Sequence, residues 1–203
     1  MTSPEQLAHP EQIPGYDLGR DRSARSPLTL DELAKLEAAA GLTDHDDRRL
    51  AEAGEILTPY AAEMVDAWRA LLAPHPHLAR YSQHPDGTAD EAYAAASHPR
   101  FARWIIDVCT RPRDQAWLDY QHEIGLRHTH QKKNQTDGSD SPEHIPMRYL
   151  LAFTGPVIAT TREFLARSGR PADDIDALHA AFTKAVMLNV TLWTRAYVAT
   201  EDW

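Results

Sequence analysis

The sequence predicts an all-α fold, and three observations carry that expectation. Apolar residues recur at three- and four-residue spacings in nearly every segment after residue 28. No two runs alternate with period two around a hairpin signal, so no sheet is expected. Capping and breaking residues stand where the periodic runs begin and end.

The elements follow in order. Residues 1–28 contain Pro4, Pro10, Pro14, Gly15, Gly19 and Pro27 and read as an irregular arm, partly ordered at best. Residues 29–203 read as one globular domain. Thr29 caps a helix with Leu30, Leu33 and Leu36 on one face, and Gly41 ends it. Thr43 and Asp44 start a second helix that runs to about Gly54. A third is expected over 56–73, with Met64, Trp68, Leu71 and Leu72 on its apolar side. Pro74-His75-Pro76 stops it and opens a short turn of helix through Tyr81. His84-Pro85-Asp86-Gly87 is a turn. Thr88 caps a stretch to Cys109 that Pro99 should kink. After the break at Pro112, a helix is expected from Asp114 to about His130, followed by a polar loop over 132–142. A long helix from Glu143 or Pro146 to Ser168 carries Gly155-Pro156 in its interior, and Pro171 opens the last helix, to about Tyr197. These two helices are apolar on more than one side, which places them in a core or a dimer interface.

Composition narrows the function. The 203 residues carry a net charge of −9, with 42% hydrophobic and 25% charged residues. That is the balance of a globular protein. An acidic chain without a basic block is a poor nucleic-acid binder. One cysteine, Cys109, excludes a disulfide framework and a multi-thiolate zinc site. No apolar run approaches the roughly 20 residues of a membrane span, and residues 1–10 lack a signal peptide's apolar core. A cytoplasmic protein with no membrane or nucleic-acid partner is expected.

Eleven histidines stand out, histidine being the commonest metal ligand. Glu-x-x-His, His-Glu-x-x-His, Gly-x-Ser-x-Gly and phosphate-loop patterns are all absent. Cys109 lies in the apolar run Trp104-Ile-Ile-Asp-Val-Cys109 and reads as a packed thiol. The pairs His75/His77 and His128/His130 diverge at helical spacing, so neither makes a chelate without a loop, and His75 and His77 read as surface or helix-start residues. The segment 117–128 differs. Trp117, Tyr120, Ile124 and His128 share one helical face, while His122 shares a neighbouring stripe with Leu118 and Leu126. A histidine on an apolar face is usually a packed residue. Were one a ligand, an all-α domain with a single protein ligand suggests haem. Periodicity does not choose between His122 and His128.

Several strings resemble the protoglobins, single-domain relatives of the globin-coupled sensors. They are Ile13-Pro-Gly-Tyr16, His75-Pro-His-Leu78, Pro85-Asp-Gly-Thr88, Asp114-Gln-Ala-Trp-Leu-Asp-Tyr-Gln121, Glu123-Ile-Gly-Leu-Arg-His128, Lys132-Lys-Asn-Gln-Thr-Asp137 and Phe164-Leu-Ala-Arg167. The likeness runs from about residue 13 to 198, and its long middle strings are specific.

The resemblance implies an extended three-over-three globin fold with an extra N-terminal helix and an arm that helps bury the haem. It implies haem b (iron protoporphyrin IX), with iron five-coordinate on His128 and reversible binding of O2, CO and NO. His122, where the family more often has tyrosine, becomes a supporting or packing residue. The family's distal Trp-Tyr pair is Trp68-Arg69 here. Either Arg69 turns outward to a carboxylate or a haem propionate and leaves an apolar pocket, the arrangement its position favours, or it points in and favours anionic ligands. Leu72, Phe101 and Phe153 match pocket-lining positions, Ser97 falls at the usual distal position, and Arg100 is expected near the propionates. A distal role for His98, one position off, is not expected. The family's homodimer would use the last two long helices and bury residues such as Val186 and Trp193. Competing readings are a haem enzyme acting on peroxide, nitrite or peroxynitrite (or on carbene and nitrene donors in the laboratory) and a gas sensor working through a separate partner.

Overall fold

The computed structural model describes residues 2–203. Among them nine α-helical segments occur and no strand; a lone bridge joins Gln83 and Ala89. The segments are α1 (Pro4–Ala8), α2 (Leu30–Ala39), α3 (Asp44–Leu57), α4 (Ala61–Leu72), α5 (Pro76–Ala79), α6 (Glu91–Thr110), α7 (Gln115–Leu126), α8 (Met147–Ala166) and α9 (Ala172–Thr194).

Capping chemistry sets most starts. Thr29 with Glu32, and Thr43 with Asp46, form reciprocal capping boxes at α2 and α3. Asp90 rather than Thr88 caps α6, accepting from the Tyr93 N–H at 2.8 Å, and Asp114 caps α7. The helix expected over 56–73 is divided. The segment α3 continues to Leu57, and a 3-10 turn at Thr58–Tyr60 precedes α4, because Pro59 has no N–H to continue the ladder. Both interior prolines, Pro99 and Pro156, lie within unbroken helices. Helix α7 ends at Leu126, short of the expected His130. The N–H groups of His128 and Thr129 fold back onto Gly125 O and Leu126 O at 3.1 and 3.0 Å, tightening the last turn.

The long helices pack around one main core, and a smaller cluster gathers Leu28, Leu33, Trp117, Leu118, Leu188 and Leu192. Helix α9 meets α3, α7 and α8, and α4 lies across α6 and α8. Three buried tryptophans organise the centre, and each indole N–H finds an acceptor. Trp68 donates to Thr160 Oγ1 at 2.5 Å, Trp104 to Asn189 Oδ1 at 3.1 Å and Trp193 to Gln121 Oε1 at 2.8 Å.

The arm is more ordered than its prolines and glycines suggest. Helix α1 packs on α6, and Leu7, Ile13 and Tyr16 join the main core. Tyr16 reaches across to Asp107 Oδ2 at 2.5 Å. Val186 and Trp193, expected at a dimer face, are instead 1% and 7% exposed in the single chain. The outward apolar residues of α8 and α9 are Leu151 and Met187.

Helices α7 and α9 approach closely at Gly125. A Cβ there would lie 2.8 Å from the Trp193 carbonyl oxygen and 3.1 Å from its Cα, a backbone clash that no rotamer relieves. Gly125→Ala should lower stability by about 1–3 kcal/mol, the usual cost of overpacking. Urea unfolding would register it as a lower midpoint at unchanged slope.

Candidate functional site

The chain turns sharply after α7, and this turn delivers His128 to the wall of a cavity of about 540 Å3. His128 Nδ1 lies 2.8 Å from Ile124 O. A carbonyl only accepts, so Nδ1 carries the proton and Nε2 keeps its lone pair. The ring stacks on Trp193 at 5.8 Å between centroids and 17° between planes. Burial pushes this imidazole below the ordinary histidine range, against the opposing bond to Ile124. The neutral imidazole is the form that binds metals.

The other histidines are placed differently. His122 is half-buried and off the cavity wall, and burial and Arg195 hold it below the usual range. His98 is held between Thr2 Oγ1 at 2.7 Å and Asp66 Oδ1 at 3.0 Å, away from the cavity. His179 donates to Ile158 O, and His75 and His77 are exposed. Ligand-type atoms of His84, Asp90 and Asp140 lie within 4.8 Å of one another. Asp90, however, caps α6 and accepts from Ser139, and His84 pairs with Asp140. Cys109 is buried, and burial pushes its thiol up to about 12, leaving it unreactive.

Seven of the eight residues expected around a cofactor meet at this one cavity: His128, Arg69, Leu72, Ser97, Arg100, Phe101 and Phe153. Trp68 does not. It is fully buried one layer behind, 5.1 Å from the Phe101 ring, where it supports the wall. Arg69 is on the cavity wall and has not turned to a carboxylate. Nη1 donates to Ala94 O at 3.0 Å and Nη2 to Ser97 Oγ at 2.8 Å, both on α6. Burial lowers the Arg69 guanidinium from its usual value.

Sequence reasoning missed several wall residues. Tyr93 stands one turn before Ser97 on α6, so helical phase could have found it. Lys133 comes from the loop after α7, where no periodicity applies. It is 5% exposed, and its ammonium donates to Tyr81 O, Asn134 Oδ1 and Ser141 Oγ, all neutral acceptors. Burial pushes its amine down to about 8.

The arm closes one edge of the cavity. Arg127, next to His128, donates to Gly15 O and to Asp17 Oδ2, each at 2.6 Å, and to Glu123 Oε1 at 3.0 Å. Arg100 forms a two-pronged pair with Asp137, at 2.9 and 2.5 Å, and also donates to Pro14 O. Gly15 makes this closure possible. Its φ is +73°, and a Cβ would lie 2.6 Å from Thr136 Cγ2 and 2.7 Å from Arg100 Nη1.

The donor set is one neutral imidazole, with no thiolate or free carboxylate beside it. It suits an iron already held in a macrocycle rather than a centre built from protein ligands alone. An apolar wall of Leu72, Phe101 and Phe153, with Arg100 and Lys133 also on the cavity wall, fits a flat apolar group that carries carboxylates. The residues present fit a haem. A family model described as Protoglobin matches residues 29–203. No curated protein matches the sequence.

The bonds that hold the arm have a pH signature. Burial alone would raise the Glu123 carboxyl, but bonds from Lys132 and the Ala24 N–H and the Arg127 charge outweigh it and hold it below 4.5. A carboxyl depressed in the folded state contributes fully above its unfolded value, and the contribution is lost as pH falls through the folded one. Amide exchange over 13–25, corrected for intrinsic rates, should quicken as pH drops below 4.5. Glu123→Gln should flatten that dependence.

Proposed function

The chain belongs to the protoglobin family, and from that premise we propose that it binds haem b through His128 and takes O2, CO or NO reversibly. The observation that carries the reading is the His128 tautomer. With Nδ1–H given to Ile124 O, the Nε2 lone pair is left on a residue of the cavity wall, as a metal-binding imidazole requires. His128 would hold the haem, which would supply an iron able to take a diatomic ligand.

The chain's own residues would do the rest. Ile124 O and the Trp193 ring orient the imidazole. Leu72, Phe101 and Phe153 keep water from the cavity, and Arg100 and Lys133 offer cations for carboxylate side groups. Ser97 Oγ gives its hydrogen to Tyr93 O at 2.6 Å while accepting from Arg69, so it has no hydrogen to offer a ligand. No tyrosine hydroxyl stands at position 69.

A cytoplasmic setting and a homodimer through α8 and α9 are part of the same proposal. Supporting them are the single buried thiol Cys109 and the outward Leu151 and Met187, 44% and 46% exposed.

Haem added to the purified protein should give a Soret band. His128→Ala should lose it, and added imidazole should restore it in that variant. An unchanged band in His128→Ala would remove His128 as the ligand. Stopped-flow release of dioxygen should slow by about two- to tenfold in Arg69→Tyr, the worth of one regained hydrogen bond. Faster release from the tyrosine variant would contradict the reading.

A further inference from the structure

Arg69 differs from the other arginines of the cavity. Arg100 and Arg127 are matched by Asp137, Asp17 and Glu123. Arg69 has only neutral partners, the Ala94 carbonyl and the Ser97 hydroxyl. A guanidinium offers five N–H donors, and among the described residues no other acceptor takes a hydrogen from this one.

The nearby carboxylates are engaged elsewhere. Asp66 accepts from His98, Asp90 from the Tyr93 N–H and Ser139, and Asp137 from Arg100. Ser97 is turned so that a lone pair, not its hydrogen, meets Nη2. The charge therefore stands on a wall that Leu72, Phe101 and Phe153 also line, and low polarity strengthens attraction to an opposite charge. A cation held this way, with donors to spare, lacks its anion.

We propose that Arg69 makes this cavity selective for small inorganic anions, such as azide, fluoride or nitrite, which it binds by charge-assisted hydrogen bonds from its remaining N–H groups. This rests on the haem reading and names a ligand class for the same site. Helix α4 supplies the guanidinium and the turn after α7 supplies His128, so the anion site and the imidazole come from different parts of the wall. An anion beside Arg69 would add the missing countercharge without displacing any existing ion pair.

The test is equilibrium titration of the ferric, haem-loaded protein with sodium azide, sodium fluoride and imidazole at fixed ionic strength, read from the Soret band. Wild type, Arg69→Met and Arg69→Lys are compared. Arg69→Met should weaken azide and fluoride about tenfold to hundredfold, the range for hydrogen bonds to charged groups. Imidazole, being neutral, should bind no more weakly, and Arg69→Lys should retain part of the anion affinity. A Soret band with azide affinity unchanged in Arg69→Met overturns this inference alone. Equal losses for azide and imidazole overturn it too, because a merely structural role would produce them. No Soret band in the wild type overturns the haem reading and this inference together.

Discussion

The close approach of α7 to α9 at Gly125 is the constraint on which the site depends. With no side chain at that position, the Trp193 backbone comes against α7. The indole is then fixed by Gln121 on one helix and by its packing against Trp104, 5.4 Å away. Trp193 in turn supplies the surface on which the His128 ring lies. Ile124, one turn earlier on α7, takes the Nδ1 hydrogen. Two helices and one seam thus determine both the plane of the imidazole and its tautomer. A ligand arriving at Nε2 meets a preorganised donor and need not order a mobile side chain.

The cations of the cavity wall fall into two groups with different physics. Arg100 and Arg127 are nearly buried and each is paired with carboxylates while also tying backbone carbonyls of the arm. Removing either would strand a buried negative charge, so each holds the arm in place whatever else it meets in the cavity. Arg69 and Lys133 meet only neutral oxygens, and burial draws both below their usual values. Neutral acceptors relieve the desolvation of a cation only in part. The fold therefore keeps two positively charged groups on the wall without matching carboxylates.

The sequence revealed the helices well because their periodicity and caps are local. It was less informative wherever long-range contacts decide. The choice between His122 and His128 shows the difference. Both lie on apolar stripes of the same segment, and family resemblance alone separated them. The structure separates them because α7 stops at Leu126, so that His128 turns into the cavity while His122 stays on the helix and off the wall. Lys133 was invisible because a loop has no phase to read. Trp68 was expected on the wall, but Phe101 stands in front of it, a layering that no single helix encodes. The arm looked loose because its prolines and glycines forbid long helices. Its order comes from bonds to residues such as Asp107 and Arg127, far along the chain.

Those same bonds make one edge of the cavity the joint work of distant parts of the chain. The arm's anchors are Arg100, Asp107 and Arg127, 86 to 112 residues away along the chain. The helical body is held across still longer spans, such as Lys184 to Gly41 at 143 residues and the packing of α3 on α9. Losing the arm's polar bonds would therefore uncover that edge of the cavity while leaving the packing of α3 on α9 in place.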